Sequence, residues 1–169
     1  MADNFVAILM GSDSDLPVMQ GTMDVLSKLQ VKFEVRITSA HRTPEQTRDY
    51  VIGAQNRGCV VFVAGAGLAA HLAGAVAATT IKPVIGVPIG GGSLQGMDAL
   101  LSTVQMPSGI PVATVAIGST GAKNAGYLAA QIMAVSDPAL SERVIADRAD
   151  NAESVIEKNR QLQESLAGQ

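Results

Sequence analysis

Phe5-Val-Ala-Ile-Leu-Met10, closed by Gly11 and followed by Ser12-Asp-Ser-Asp15, decides the fold. A short apolar run without polar alternation reads as a strand buried on both faces, as strands of a parallel sheet are. Ser12-x-x-Asp15 then has the form of a capping box, with Pro17 near the first turn. Leu16, Met19, Met23, Leu26 and Leu29 follow at helical spacing, so a helix is expected to about Gln30.

The same strand, glycine turn and helix recur along the chain. Lys32 to Ile37 alternates, placing Phe33, Val35 and Ile37 on one side of a less buried second strand. After the turn Thr38-Ser-Ala-His-Arg-Thr-Pro44, Thr43 as cap and Pro44 at the first position predict a helix that Gly58 ends. Val60 to Ala64 is a third strand running into Gly65-Ala-Gly67, and residues 69–80 form a helix of small residues. Pro83 to Val87 is a fourth strand, Gly90-Gly-Gly92 a flexible loop, and Met97 to Val104 a helix. Pro111 to Ile117 is a fifth strand opening onto Gly118 and Gly121, followed by a helix from Ala122 to Val135.

Five strands alternating with helices imply an α/β fold: a three-layer, doubly wound (flavodoxin-like) parallel five-stranded sheet. Beyond Pro138 a long C-terminal helix is expected to about Leu166, with no strand after it. Its stripe of Leu140, Val144, Ile145, Val155, Ile156, Leu162 and Leu166 overruns the core of one small domain. Residues 1–169 therefore read as a single domain in which 138–169 serve as an oligomerisation helix.

Composition narrows the function. The chain has 169 residues, a net charge of −3, 16% charged and 3% aromatic residues. A slightly acidic surface poor in aromatics supplies neither counterion release nor stacking platforms, so nucleic acid is not the expected partner. One cysteine and two histidines cannot form a Cys/His zinc site within one chain. Cys59 is expected to be a buried, inert thiol and the compartment cytoplasmic. Apolar runs are all interrupted below the length of a membrane span, so no membrane is expected.

Ligands of open parallel sheets bind beyond the carboxyl ends of the strands, which here carry glycine and polar turns. Such turns let backbone N–H groups approach a phosphorylated ligand, although glycine also serves as the simplest route through a tight turn. Gly65-Ala-Gly-Leu-Ala-Ala70 fits the loose dinucleotide pattern, yet no Asp or Glu occurs from Gly65 until Asp98 to hold a ribose. A Walker lysine is also missing. His41, in a polar turn beside Ser39 and Arg42, is suited to move protons near neutrality, and Arg42 offers a fork of donors for phosphate. Asp15 either caps its helix or accepts hydrogen bonds from sugar hydroxyls, and Ser12 could serve either partner. His71 is either a helix-start residue or part of the site.

Met10-Gly-Ser-x-Ser-Asp15, Ser39-Ala-His-Arg-Thr-Pro44, Ala64-Gly-Ala-Gly67 with Ala69-Ala-His-Leu72, Gly86-Val-Pro88 and Val104-Gln-Met-Pro-x-Gly-Ile-Pro-Val112 resemble the aminoimidazole ribonucleotide carboxylase family, class I branch. The resemblance covers about residues 5 to 137. It implies movement of a carboxylate from the exocyclic nitrogen of N5-carboxyaminoimidazole ribonucleotide to the adjacent ring carbon, without metal or organic cofactor. By resemblance His41 is the catalytic histidine, Ser39 and Arg42 hold phosphate, Ser12 and Asp15 hold the nucleotide, and the assembly is a homo-octamer with sites between subunits. Two departures stand out. The family often has Gly-Ala-Ala-His-Leu-Pro-Gly where this chain has Leu68-Ala-Ala-His-Leu-Ala73-Gly74, and Arg where it has Ser108. Competing readings are a class II carboxylase using free CO2 and a non-catalytic nucleotide-binding module.

Overall fold

The computed structural model describes residues 4–167. Five parallel strands, β1 (Phe5–Met10), β2 (Phe33–Ile37), β3 (Cys59–Gly67), β4 (Val84–Ile89) and β5 (Ala113–Thr114), lie in the order β2-β1-β3-β4-β5. Between and after them run α1 (Leu16–Lys28), α2 (Pro44–Arg57), α3 (Leu72–Ala77), α4 (Met97–Val104), α5 (Ser119–Ala134) and α6 (Pro138–Ala167). This is the doubly wound arrangement expected from the sequence.

The pleat of β1 explains why its run is apolar on both sides. Val6, Ile8 and Met10 pack with α1, α5 and the start of α6, whereas Phe5, Ala7 and Leu9 pack with α2 and α3. Small residues bring α1 and α5 close together. A Cβ on Gly126 would stand 2.9 Å from Val25 Cβ, and the buried Thr22 hydroxyl donates to Ala122 O at 2.7 Å. Gly58, at φ +109°, ends α2 in the left-handed conformation its position called for.

Several boundaries differ from the sequence reading. β5 shrinks to two residues because α5 begins early and folds tightly under the preceding chain: a Cβ on Gly121 would lie 1.6 Å from Ala116 O. Only Val115 N–H to Gly86 O and Gly118 N–H to Pro88 O continue the pairing of this edge. β3 extends to Gly67, and α3 starts only at Leu72, because residues 68–71 form a separate turn in which His71 N–H bonds Ala69 O. Thr43 precedes α2 without capping it through its side chain. Its hydroxyl accepts Ser39 N–H at 2.9 Å and so braces the turn before the helix.

β2 is the edge strand opposite β5, with Val35 and Ile37 exposed. Cys59 is buried, and burial pushes its thiol up to about 11, as expected of an inert cysteine. No helix among the described residues is long and apolar enough to cross a membrane.

Candidate active site

The turns at the carboxyl ends of β1, β2, β3 and β4 enclose a cleft of about 690 Å³. Its volume falls within the range of small-ligand sites. The sheet order places it at the switch point between β1 and β3, where successive connections leave in opposite directions.

At the first turn the capping box forms, but around a single tight turn, Asp13–Asp15, that precedes α1. Ser12 Oγ accepts Ser14 N–H at 3.3 Å, and Asp15 Oδ2 accepts Ser12 N–H at 3.1 Å. Asp15 is nearly buried, and desolvation raises its carboxyl above the ordinary value of 3.8. Hydrogen bonds from the Ser12 and Gly11 backbone act against that shift, and the Asp13 charge adds to it.

The second turn is braced by threonine hydroxyls. Thr38 Oγ1 lies 2.6 Å from Thr47 Oγ1 and 3.3 Å from Thr43 Oγ1. On this frame Arg42 N–H donates to Ser39 Oγ at 3.2 Å, and Arg42 Nη2 donates to Gly11 O at 3.1 Å. One contact thus ties the first two turns together, with the guanidinium at the wall of the cleft.

Opposite stands the third turn. His41 Nε2 and His71 Nδ1 are 2.7 Å apart, their rings edge to face at 79° with centroids 4.8 Å apart. A hydrogen bond of this length requires one nitrogen to hold the proton and the other to accept it. Both rings line the cleft and remain exposed, so a ligand can reach them.

Ser12, Asp15, Ser39, His41 and Arg42, the five residues singled out in the sequence, all line this cleft. His71 meets both of its readings: it stands at the N-cap of α3, without a capping bond from its side chain, and its ring meets that of His41 across 30 positions of chain. The signal available in sequence was its place after a glycine turn at a strand end. Gly90, Gly91 and Gly92 close a further side. Of the two departures, Ala73 is buried in α3, whereas Ser108 is exposed and does not line the cleft. Among the described residues no group of three or more His, Cys, Asp or Glu is placed to hold a metal ion.

A doubly wound sheet with an arginine turn and a histidine pair in a cleft at its switch point defines a class: α/β proteins with a small-ligand cleft beyond the carboxyl ends of their strands. The family is more specific. The AIR carboxylase model matches residues 5–154, and the chain belongs to that family. It is 52% identical over 163 residues to the N5-carboxyaminoimidazole ribonucleotide mutase of Mycobacterium tuberculosis, covering 96% of this chain and 92% of that protein. The mutase of Bacillus subtilis is 49% identical over 157 residues, covering 93% and 97%. The crystal structure of Treponema denticola PurE superimposes with a TM-score of 0.85 at 30% identity, covering 94% of this chain and 98% of that one.

Proposed function

We propose that this chain is an isomerase of purine biosynthesis that converts N5-carboxyaminoimidazole ribonucleotide to 4-carboxyaminoimidazole ribonucleotide. The observation that carries the reading is the His41–His71 pair, held at 2.7 Å in a cleft also lined by Arg42, Ser39 and Asp15. Similarity to mutases over nearly the whole chain supports it.

His41 gives a proton to the exocyclic nitrogen as the N–C bond of the carbamate breaks. CO2 is released within the cleft, the ring carbon attacks it, and the proton displaced from that carbon returns to His41. Donor and acceptor are one residue, so the cycle closes without net proton uptake. Arg42 and Ser39 hold the phosphate, Ser12 bonds the nucleotide, and Asp15 accepts from ribose hydroxyls, at a distance that spares phosphate its charge.

The proposal includes an assembly. Leu140 is buried, but Ile145, Val155, Ile156, Leu162 and Leu166 of α6 are all more than half exposed. Residues 138–167 act as the docking helix of a cytoplasmic homo-oligomer, an octamer by family resemblance.

Turnover tests the reading. The N5-carboxylated ribonucleotide and, separately, aminoimidazole ribonucleotide with bicarbonate are offered to wild type and His41→Asn. Efficient use of the first substrate, poor use of the second and at least about a hundredfold loss in the variant are expected, the scale of general acid–base catalysis. Preference for the second would make the chain a class II carboxylase. Tight nucleotide binding without turnover would make it a binding module.

A further inference from the structure

The turn that carries His71 is held by a helix whose contact lies outside the cleft. Residues 68–71 leave β3 in a conformation that one of them opposes. Leu68 has φ +55°, in the left-handed region where a side chain crowds the backbone and glycine is at ease. Such a conformation persists only where the surroundings fix it. On one side Gly67 does so, running so close to β4 that a Cβ there would lie 3.1 Å from Ile89 O. On the other side α4 does. Ala70, 2% exposed, donates its N–H at 3.1 Å to Ser102 Oγ.

One hydroxyl proton decides what Ser102 does there. It goes to Asp98 O at 2.6 Å, one turn back along α4, which leaves the oxygen as an acceptor for Ala70. Leu68 O at 3.5 Å and Ala99 O at 3.4 Å are too distant to compete for it. Without that acceptor the Ala70 N–H would be a buried donor left unpaired, and the turn would relax toward a negative φ at Leu68. His71 follows Ala70 directly. Its N–H bonds Ala69 O at 2.9 Å, its carbonyl accepts Ala75 N–H at the start of α3, and its Nδ1 meets His41 Nε2 at 2.7 Å. Movement of the turn therefore moves the ring, and a bond this short has no slack to absorb it.

We propose that Ser102 is a positioning residue for carboxylate transfer, holding the strained 68–71 turn in the conformation that seats His71 against His41. This rests on the mutase reading above. In that reaction His41 gives a proton and later recovers it, so its ring has to keep one orientation through both steps. The bond to His71 fixes that orientation and the tautomers of the pair. Ser102 touches neither ring and does not line the cleft. It acts through Ala70, against the strain that Leu68 brings.

The test uses the untagged full-length chain, whose two histidines are His41 and His71, with their rings labelled with nitrogen-15. Ser102→Ala removes the acceptor, and Ser102→Thr keeps it, since threonine in a helix can bond the same carbonyl one turn back. With N5-carboxyaminoimidazole ribonucleotide, Ser102→Ala is expected to lower kcat at least about tenfold, within the roughly hundredfold that a 1 Å misplacement can cost, and to change KM less than about twofold. Ser102→Thr is expected to restore kcat. In a Leu68→Gly background, where glycine relieves the backbone, the loss on Ser102→Ala should shrink to about threefold or less. The ring spectrum should show one tautomer for each histidine in wild type and an average of two in Ser102→Ala. Unchanged kcat or ring spectrum in Ser102→Ala, no rescue by Ser102→Thr, or an equal loss with and without Leu68 overturns the positioning role. So does an Ala70 amide that exchanges hydrogen in wild type as fast as a free loop amide, a measurement that stands even where Ser102→Ala does not fold. Wild type that makes no product overturns the mutase reading, and the ring spectrum and amide exchange then decide whether Ser102 holds the pair.

Discussion

Replacing Val155 and Ile156 together by glutamate should dissolve the proposed assembly and leave the domain folded. The first turns of α6 are fixed to their own domain: Leu140 is buried, Arg143 Nε donates to Leu29 O at 2.8 Å, and Asp147 pairs with Lys28. The helix then outruns its domain. Val155 is 66% exposed and Ile156 61%, in line with Ile145 one face earlier and Leu162 beyond. Complete burial of such a side chain stabilises by about 1.5–3 kcal/mol. Two thirds of that remains unclaimed here, or about 1–2 kcal/mol for each residue and 2–4 for the pair. At 1.4 kcal/mol per tenfold, each contact between protomers weakens roughly 30- to 1,000-fold, before counting the desolvation of two carboxylates. The helix itself loses nothing, since glutamate is a better helix former than valine or isoleucine. Analytical ultracentrifugation from low micromolar upward, with helix content and Tm followed by circular dichroism, reads both halves of the expectation. A variant of unchanged mass would refute the assignment of this stripe, and a monomeric wild type would refute the assembly.

Two carboxylates of opposite shift give further expectations. Asp15→Asn should raise the Km for substrate while raising Tm at neutral pH. Burial holds the Asp15 carboxyl above 3.8, so the folded protein bears the cost of ionising it once pH exceeds its folded value, and asparagine removes that cost. The Tm gain should vanish on titration below 3.8, where the carboxyl is protonated in both states; a gain that persists there refutes the cause. For Asp147 the sign reverses. Lys28, foremost, and hydrogen bonds from Tyr127 and Asn151 hold it below 3.8 against its burial, so its contribution is complete above that value and is lost as pH falls through the lower folded one. Lys28→Met should therefore lower Tm at pH 7 and converge with wild type in acid, and a constant difference across the titration would exclude the ion pair as the source.

The parts legible in sequence are those whose cause is local. Phe5 to Met10 has to be apolar on both sides because helices cover both faces, so its burial was written into composition alone. Gly58 and the Ser12–Asp15 box likewise act within one turn. β5 was overread because its end is set from outside: Gly121 of α5 packs under Ala116 O, an approach no periodicity in Pro111 to Ile117 records. Leu68 was invisible for a related reason. A leucine gives no sign of positive φ, and the conformation is imposed by the neighbouring strand and by Ser102.

His41 and His71 show why the site was half legible. His41 could be chosen alone, since a histidine among polar turn residues at a strand's carboxyl end lacks an apolar face to occupy. Its partner could not be chosen, because the pairing depends on strand order. β2 and β3 both flank β1, so the turns after them stand on either side of the Gly11 turn and lean over it from opposite sides. Arg42 ties the turn after β2 to the Gly11 turn by bonding Gly11 O, and the histidines join the turns after β2 and β3 by bonding each other. A chain that wound in one direction only would part these turns. The reversal at β1 creates the cleft and brings the two histidines together in it, so the crossing of the chain and the proposed chemistry have one origin.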